Sequence, residues 1–96
     1  ENVKEHDLFA VKVTGTAMEP MFDEQTIAII DQTLELKNNA IVLSYVHALN
    51  KYIIRKLIFE GNYKILKAIN KDFPTLYVKN EDKIIGIVIS AHKDFK

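Results

Sequence analysis

The side chains that could do chemistry fall into a few short clusters. Gly15-Thr16-Ala17-Met18-Glu19-Pro20 directly follows an alternating run, Phe9-Ala10-Val11-Lys12-Val13, so a turn closes a strand there. Thr14 and Thr16 bring hydroxyls close to Ala17 and read as a strand residue and a turn residue. Ile54-Arg55-Lys56-Leu57 sets two cations side by side in a β-rich run that ends at Gly61-Asn62. Neighbouring strand residues face opposite sides of a sheet, so Arg55 and Lys56 cannot both address one site. His6, His47 and His92 are scattered, without His-x-x-His spacing, and give no basis for a metal site. The absence of cysteine excludes disulfides, thiolate catalysis and cysteine-ligated metals. No cofactor is expected.

The elements that must position these residues are strands. Ile27–Ile30 is apolar on both faces and ends at Asp31. Ala40–Val46, Tyr52–Phe59, Tyr63–Ala68, Thr75–Val78 and Ile84–Ile89 continue the pattern. Asn38-Asn39, Leu49-Asn50, Gly61-Asn62, Asn70-Lys71-Asp72 and Asn80-Glu81-Asp82 supply the turns between them. Seven short strands at this spacing indicate an all-β fold, a curled sandwich or partial barrel. One short helical turn is expected around Met18 to Phe22 and another within Asp31 to Leu36. In the final strand Ile85, Ile87 and Ile89 fall on one alternation, Ile84 and Val88 on the other. That strand reads either as an exposed pairing edge or as a central one. Tyr45, Tyr52, Tyr63 and Tyr77 are expected to pack at the core edge. Lys64 and Lys67, with Lys51, Arg55 and Lys56, read as a solvated basic face.

Ninety-six residues make one domain. Lys+Arg and Asp+Glu balance at 13 each, which argues against this domain gripping DNA by itself and permits self-association. No apolar run approaches a membrane span. With no initial Met and no signal peptide, Glu1 is expected to begin a fragment of a longer, cytoplasmic protein.

The strand followed by Gly15-Thr16-Ala17-Met18-Glu19-Pro20 resembles the nucleophile segment, Gly-x-Ser-Met-x-Pro, of the LexA/CI/UmuD-like serine-lysine peptidases. Further landmarks follow in order. Ile27–Ile30 with Asp31 resembles the next family strand, with Gln25-Thr26 standing where a Gly-Asp pair is usual. Ile54-Arg55-Lys56-Leu57 resembles the Val-Lys-Arg-Leu strand that carries the catalytic lysine. Asn70-Lys71-Asp72-Phe73-Pro74 and Gly86-Ile87-Val88 complete the set.

The resemblance puts Ala17 at the nucleophile position and Arg55 at the general-base position, within a frame of Gly15, Thr16, Met18 and Pro20. An alanine methyl cannot attack a carbonyl. A lysine becomes a base when burial lowers its pKa, but arginine stays protonated at neutral pH. Each change alone would remove most activity. Lys56 could replace Arg55 only through a one-residue slip that turned the strand inside out. No Ala-Gly or Cys-Gly bond, the usual self-cleavage sites, occurs in the chain.

What the resemblance implies is the C-terminal domain of a LexA- or phage CI-like repressor, bacterial or phage-encoded. It would act as a homodimer, with DNA bound by a separate N-terminal helix-turn-helix domain. The alternative is a trapped, Ser-to-Ala form of a self-cleaving peptidase whose parent answers to a RecA filament in the SOS response. A UmuD-like polymerase accessory is a third reading. Drift at Gln25-Thr26 and Arg55 as well as at Ala17 favours natural degeneration of the site.

Overall fold

The computed structural model describes residues 6–93. The chain forms β1 (Leu8–Lys12), β2 (Thr26–Asp31), β3 (Ile41–Val46), β4 (Lys51–Glu60), β5 (Tyr63–Lys67), β6 (Leu76–Tyr77) and β7 (Lys83–Lys93). They make one antiparallel sheet in the order β1-β2-β7-β3-β4-β5-β6. The all-β expectation holds, and each sequence run becomes a strand.

The sheet curls. β1 and β4 are four strand spacings apart, about 19 Å if the sheet were flat. Yet Val13, just past β1, shares one buried cluster with Leu43 of β3 and Ile54 of β4. Met18, Ala28 and Ile30 fill that cluster, and Phe22 and Ile69 pack onto it. The other face of the same strands carries a second cluster, Val42, Val46, Ile53, Leu57 and Leu66, covered by Leu36 and Val78. β3 and β4 are therefore apolar on both alternations because each face has its own core.

β7 departs from the simple reading. Its Lys83–Ile87 half pairs with β3 and its Ile87–Lys93 half with β2, so it bridges the two strands, with a ladder partner on both sides only at Ile87. The register shifts beside Leu43/Ser44 and beside Ile29/Ile30. Each such bulge adds a residue and resets the alternation. Hence Ile84 and Ile87 join one cluster, while Ile85 and Val88 join the other. Gly86 is required here: a Cβ would lie 2.7 Å from the Asp31 carbonyl oxygen and 2.8 Å from Ile30 Cγ2.

Of the two expected turns, the one around Met18 to Phe22 is in place and the one within Asp31 to Leu36 is not. Thr16–Phe22 is a run of turns, held by Glu19 N–H to the Thr16 carbonyl (3.2 Å) and Phe22 N–H to the Met18 carbonyl (2.9 Å). Residues after Asp31 bend rather than coil. Among the described residues the helical piece is a single 3-10 turn, His47–Leu49, ended by Asn50 in the left-handed region (φ 53°). Tyr52, Tyr63 and Tyr77 are exposed, not packed at the core edge, and meet one another or Tyr45 as ring pairs.

Candidate functional site: a cleft between β1 and β4

A cleft of about 720 Å³ opens between β1 and the first half of β4. Its walls include Phe9, Val11, Leu43, Ile54 and Ile85, together with the Thr14–Met18 turn, Arg55 and Phe73. The fold thus brings Ala17 and Arg55, thirty-eight positions apart in sequence, onto one cavity.

The turn is fixed at both ends. Val13 N–H donates to the Thr26 carbonyl (2.8 Å) and Gln25 N–H to the Val13 carbonyl (3.2 Å), which carries the β1–β2 ladder one step past Lys12. The Gly15 N–H donates to Glu24 Oε2 at 3.0 Å, and Gly15 has φ 78°. Gln25 also has φ 78°, a conformation that costs a side-chain-bearing residue more than glycine. That is the physical content of losing the usual glycine there. Met18 is buried in the core, and Ala17 beside it is only 6% exposed.

The far wall of the turn comes from the 70–73 segment. Asn70 N–H donates to the Ala17 carbonyl (2.9 Å), and its side-chain amide donates to the Thr16 carbonyl (3.0 Å). Its Oδ1 accepts from Asp72 N–H at 3.0 Å, and Phe73 N–H returns to the Asn70 carbonyl at 3.1 Å. This loop delivers the Phe73 ring to Arg55, whose guanidinium carbon stands 5.6 Å from the ring centroid.

Arg55 is 8% exposed, which corrects its assignment to a solvated basic face. The β3–β4 register pairs Arg55 with Val42 and Lys56 with Ile41, so the two cations stand on opposite faces. Arg55 lines the cleft; Lys56 does not. One hydrogen bond ties the guanidinium, Nη1 to the Ile54 carbonyl at 2.8 Å, and Nε has no partner. Burial lowers the Arg55 pKa from its ordinary value. Arginine nevertheless stays protonated at neutral pH.

Gly15, Thr16, Ala17 and Met18 all line the cleft. Pro20 does not; it borders a smaller hollow of about 190 Å³ with Met21, Phe22 and the end of β7.

A polar cluster that the sequence reading missed sits at the start of β1. His6 Nδ1 lies 2.6 Å from Asp31 Oδ2, and Asp31 Oδ1 accepts from Thr33 N–H (2.8 Å) and the Thr33 hydroxyl (2.7 Å). Burial pushes the Asp31 pKa up, but the Thr33 N–H, the Thr33 hydroxyl and His6 together leave it below its ordinary value. Among the described residues no group of three or more His, Asp or Glu could hold a metal ion. No helix among them is long and apolar enough to cross a membrane.

Repressor protein C2 of Salmonella phage P22 is 28% identical over 89 residues, covering 88% of this chain and 41% of that protein. An uncharacterized HTH-type transcriptional regulator of Coxiella burnetii is 29% identical over 90 residues, 91% of this chain and 42% of that protein. The HTH-type transcriptional regulator for conjugative element SXT of Vibrio cholerae is 26% identical over 92 residues, 91% and 43% respectively. The chain therefore spans about two-fifths of the length of these curated relatives. The Peptidase S24-like profile matches residues 1–89, a span that contains the turn, the cleft and the strand bearing Arg55, and the chain belongs to that family.

Proposed function

We propose that this chain is the regulatory, dimer-forming domain of a transcriptional repressor, and that its site does not cleave peptide bonds. One observation supports the reading: Ala17 and the buried Arg55, which the sequence resemblance sets at the positions where the family chemistry needs a hydroxyl and a neutral amine, line a single cleft. Ala17 offers only a methyl group. Arg55 cannot release a proton at neutral pH even with its pKa lowered by burial.

The repressor assignment draws on relatives named as a phage repressor and as HTH-type regulators. DNA would be held by an upstream helix-turn-helix domain, in the cytoplasm, with no dependence on a RecA filament. Dimerisation lets two such heads hold two half-sites at once. Support for a dimer surface comes from the end of β7. Beyond Ile87 that strand pairs only with β2, and the exposed Ile89 and Met21 are apolar. A zero net charge does not oppose pairing. Sedimentation velocity on the chain at micromolar concentration is expected to show a dimer; a strict monomer overturns the dimer-forming role.

A further inference from the structure

β5 sets two lysines and two tyrosines on one face of the sheet. Lys67 stands directly opposite Lys56 of β4, and Ile65 stands opposite Tyr77 of β6. Opposed residues share a face, as do residues two apart along a strand. Lys56, Lys67, Tyr63 and Tyr77 therefore project on the same side as Ile65. The rings of Tyr63 and Tyr77 agree with that register by meeting edge to face, centroids 5.8 Å apart.

Both pairs are open to solvent. Tyr63 is 64% exposed and Tyr77 55%, beside a buried Ile65. Lys67 is exposed and Lys56 half-buried. Like charges set directly opposite one another destabilise a sheet. Neither lysine joins the His6–Asp31 or Lys93–Asp23 ion pairs, and no carboxylate bonds to either among the described residues. The acid on this face, Glu60, is opposite Tyr63 and about 14 Å along β4 from Lys56. The face thus has a cationic end that an anion would relieve and an aromatic end that begins about 7 Å further along β5.

The backbone decides what kind of ligand this suits. β5 lies between β4 and β6, and Val78 N–H takes the Lys64 carbonyl at 2.8 Å. The outer edge of β6 is only two residues long. A peptide strand finds little main chain to pair with, so recognition has to come from side chains, through charge and ring stacking. Exposed aromatic side chains on a sheet face stack unpaired bases, and nearby lysines hold the backbone.

We propose that this face binds single-stranded nucleic acid, with a backbone phosphate between Lys56 and Lys67 and a base against the Tyr63–Tyr77 pair. A duplex keeps its bases stacked inside and offers this face phosphates alone, and a chain with 13 cations against 13 anions has little net charge to hold it. None of these side chains lines the cleft, and β5 is three strands from β7. The proposal is therefore independent of self-cleavage and of a dimer built on the end of β7.

The test uses the chain with fluorescein-labelled dodecathymidylate, free and annealed to its complement, read by anisotropy at about 50 and about 200 mM NaCl. The single strand is expected to bind, and two lysine–phosphate contacts should cost about sevenfold in affinity between those salt concentrations. Lys67→Gln should reduce that fall to about threefold. Tyr63→Ser with Tyr77→Ser should weaken binding at least about fivefold. Lys37→Gln, which removes an exposed lysine elsewhere, should leave affinity and salt dependence unchanged. In the nitrogen-15-labelled parent, which needs no variant to fold, the oligonucleotide should shift the amide signals of Tyr63, Ile65, Lys67 and Tyr77. No binding, binding of the duplex as tight as that of the single strand, or shifts confined to other residues overturns the proposal. Equal affinity for an octaglutamate peptide also overturns it, in favour of an acidic protein partner.

Discussion

The amide N–H of Asn70 donates to the carbonyl of Ala17 at 2.9 Å. The same short loop carries Phe73 to the Arg55 guanidinium. One segment between β5 and β6 therefore contacts both Ala17 and Arg55, although neither belongs to it.

Asn70→Ala removes the bond to the Thr16 carbonyl and the turn bond from Asp72 N–H. The expected loss is about 1–2 kcal/mol of stability. Hydrogen exchange should speed up at Phe73, whose N–H depends on the shape of this loop, more than at the β3–β4 ladder. Uniform acceleration would show that Asn70 acts on the whole fold.

Arg55→Met replaces a buried cation bearing an idle donor with a side chain of similar length. Only one hydrogen bond is lost. The variant should be at least as stable as the parent, because an unsatisfied buried donor costs roughly 1–3 kcal/mol. Urea unfolding gives the answer directly, and a clear loss of stability would mean that Arg55 has a structural role here.

Gly86→Ala should destabilise by about 1–3 kcal/mol through overpacking. The new methyl would meet the Asp31 backbone carbonyl at 2.7 Å, and backbone cannot turn aside as a side-chain end can. Thermal unfolding of the variant measures this; an unchanged Tm would mean that β2 and β7 separate freely.

Asp31 links stability to pH. Its folded pKa lies below the ordinary 3.8, so the charged carboxylate stabilises the fold above that value. The contribution is lost as pH falls from about the ordinary value through the folded pKa. Asp31→Asn lacks this component. The Tm gap between parent and variant should be widest near pH 6 or so and narrow on acidification below about 4. A gap that widens toward acid would assign the opposite sign to the shift.

What the sequence disclosed was what alternation and turn chemistry encode locally. Tyr63–Lys67 and Ile41–Val46 were legible because β-rich runs end at Gly61 or Asn39, which adopt φ 59° and 73°. Motif order singled out Ala17 and Arg55, and the fold places both on one cleft. What escaped depends on register. His6 meets Asp31 only because the β1–β2 ladder sets Leu8 against Asp31, a pairing that no spacing of 25 residues announces. The faces of β7 escaped because two bulges each shift the alternation by one. The burial of Arg55 escaped because a charged residue beside Lys56 reads as surface, and the ring set against it, Phe73, comes from a loop beyond β5.

The central claim is that this site no longer cuts. The most direct measurement is intact mass spectrometry of the natural full-length protein after prolonged incubation at neutral and alkaline pH. The account predicts one species of unchanged mass at every time point, because Ala17 has no nucleophile and Arg55 supplies no base. Two fragments whose masses sum to the parent plus one water, absent from a sample carrying Arg55→Met, would contradict it.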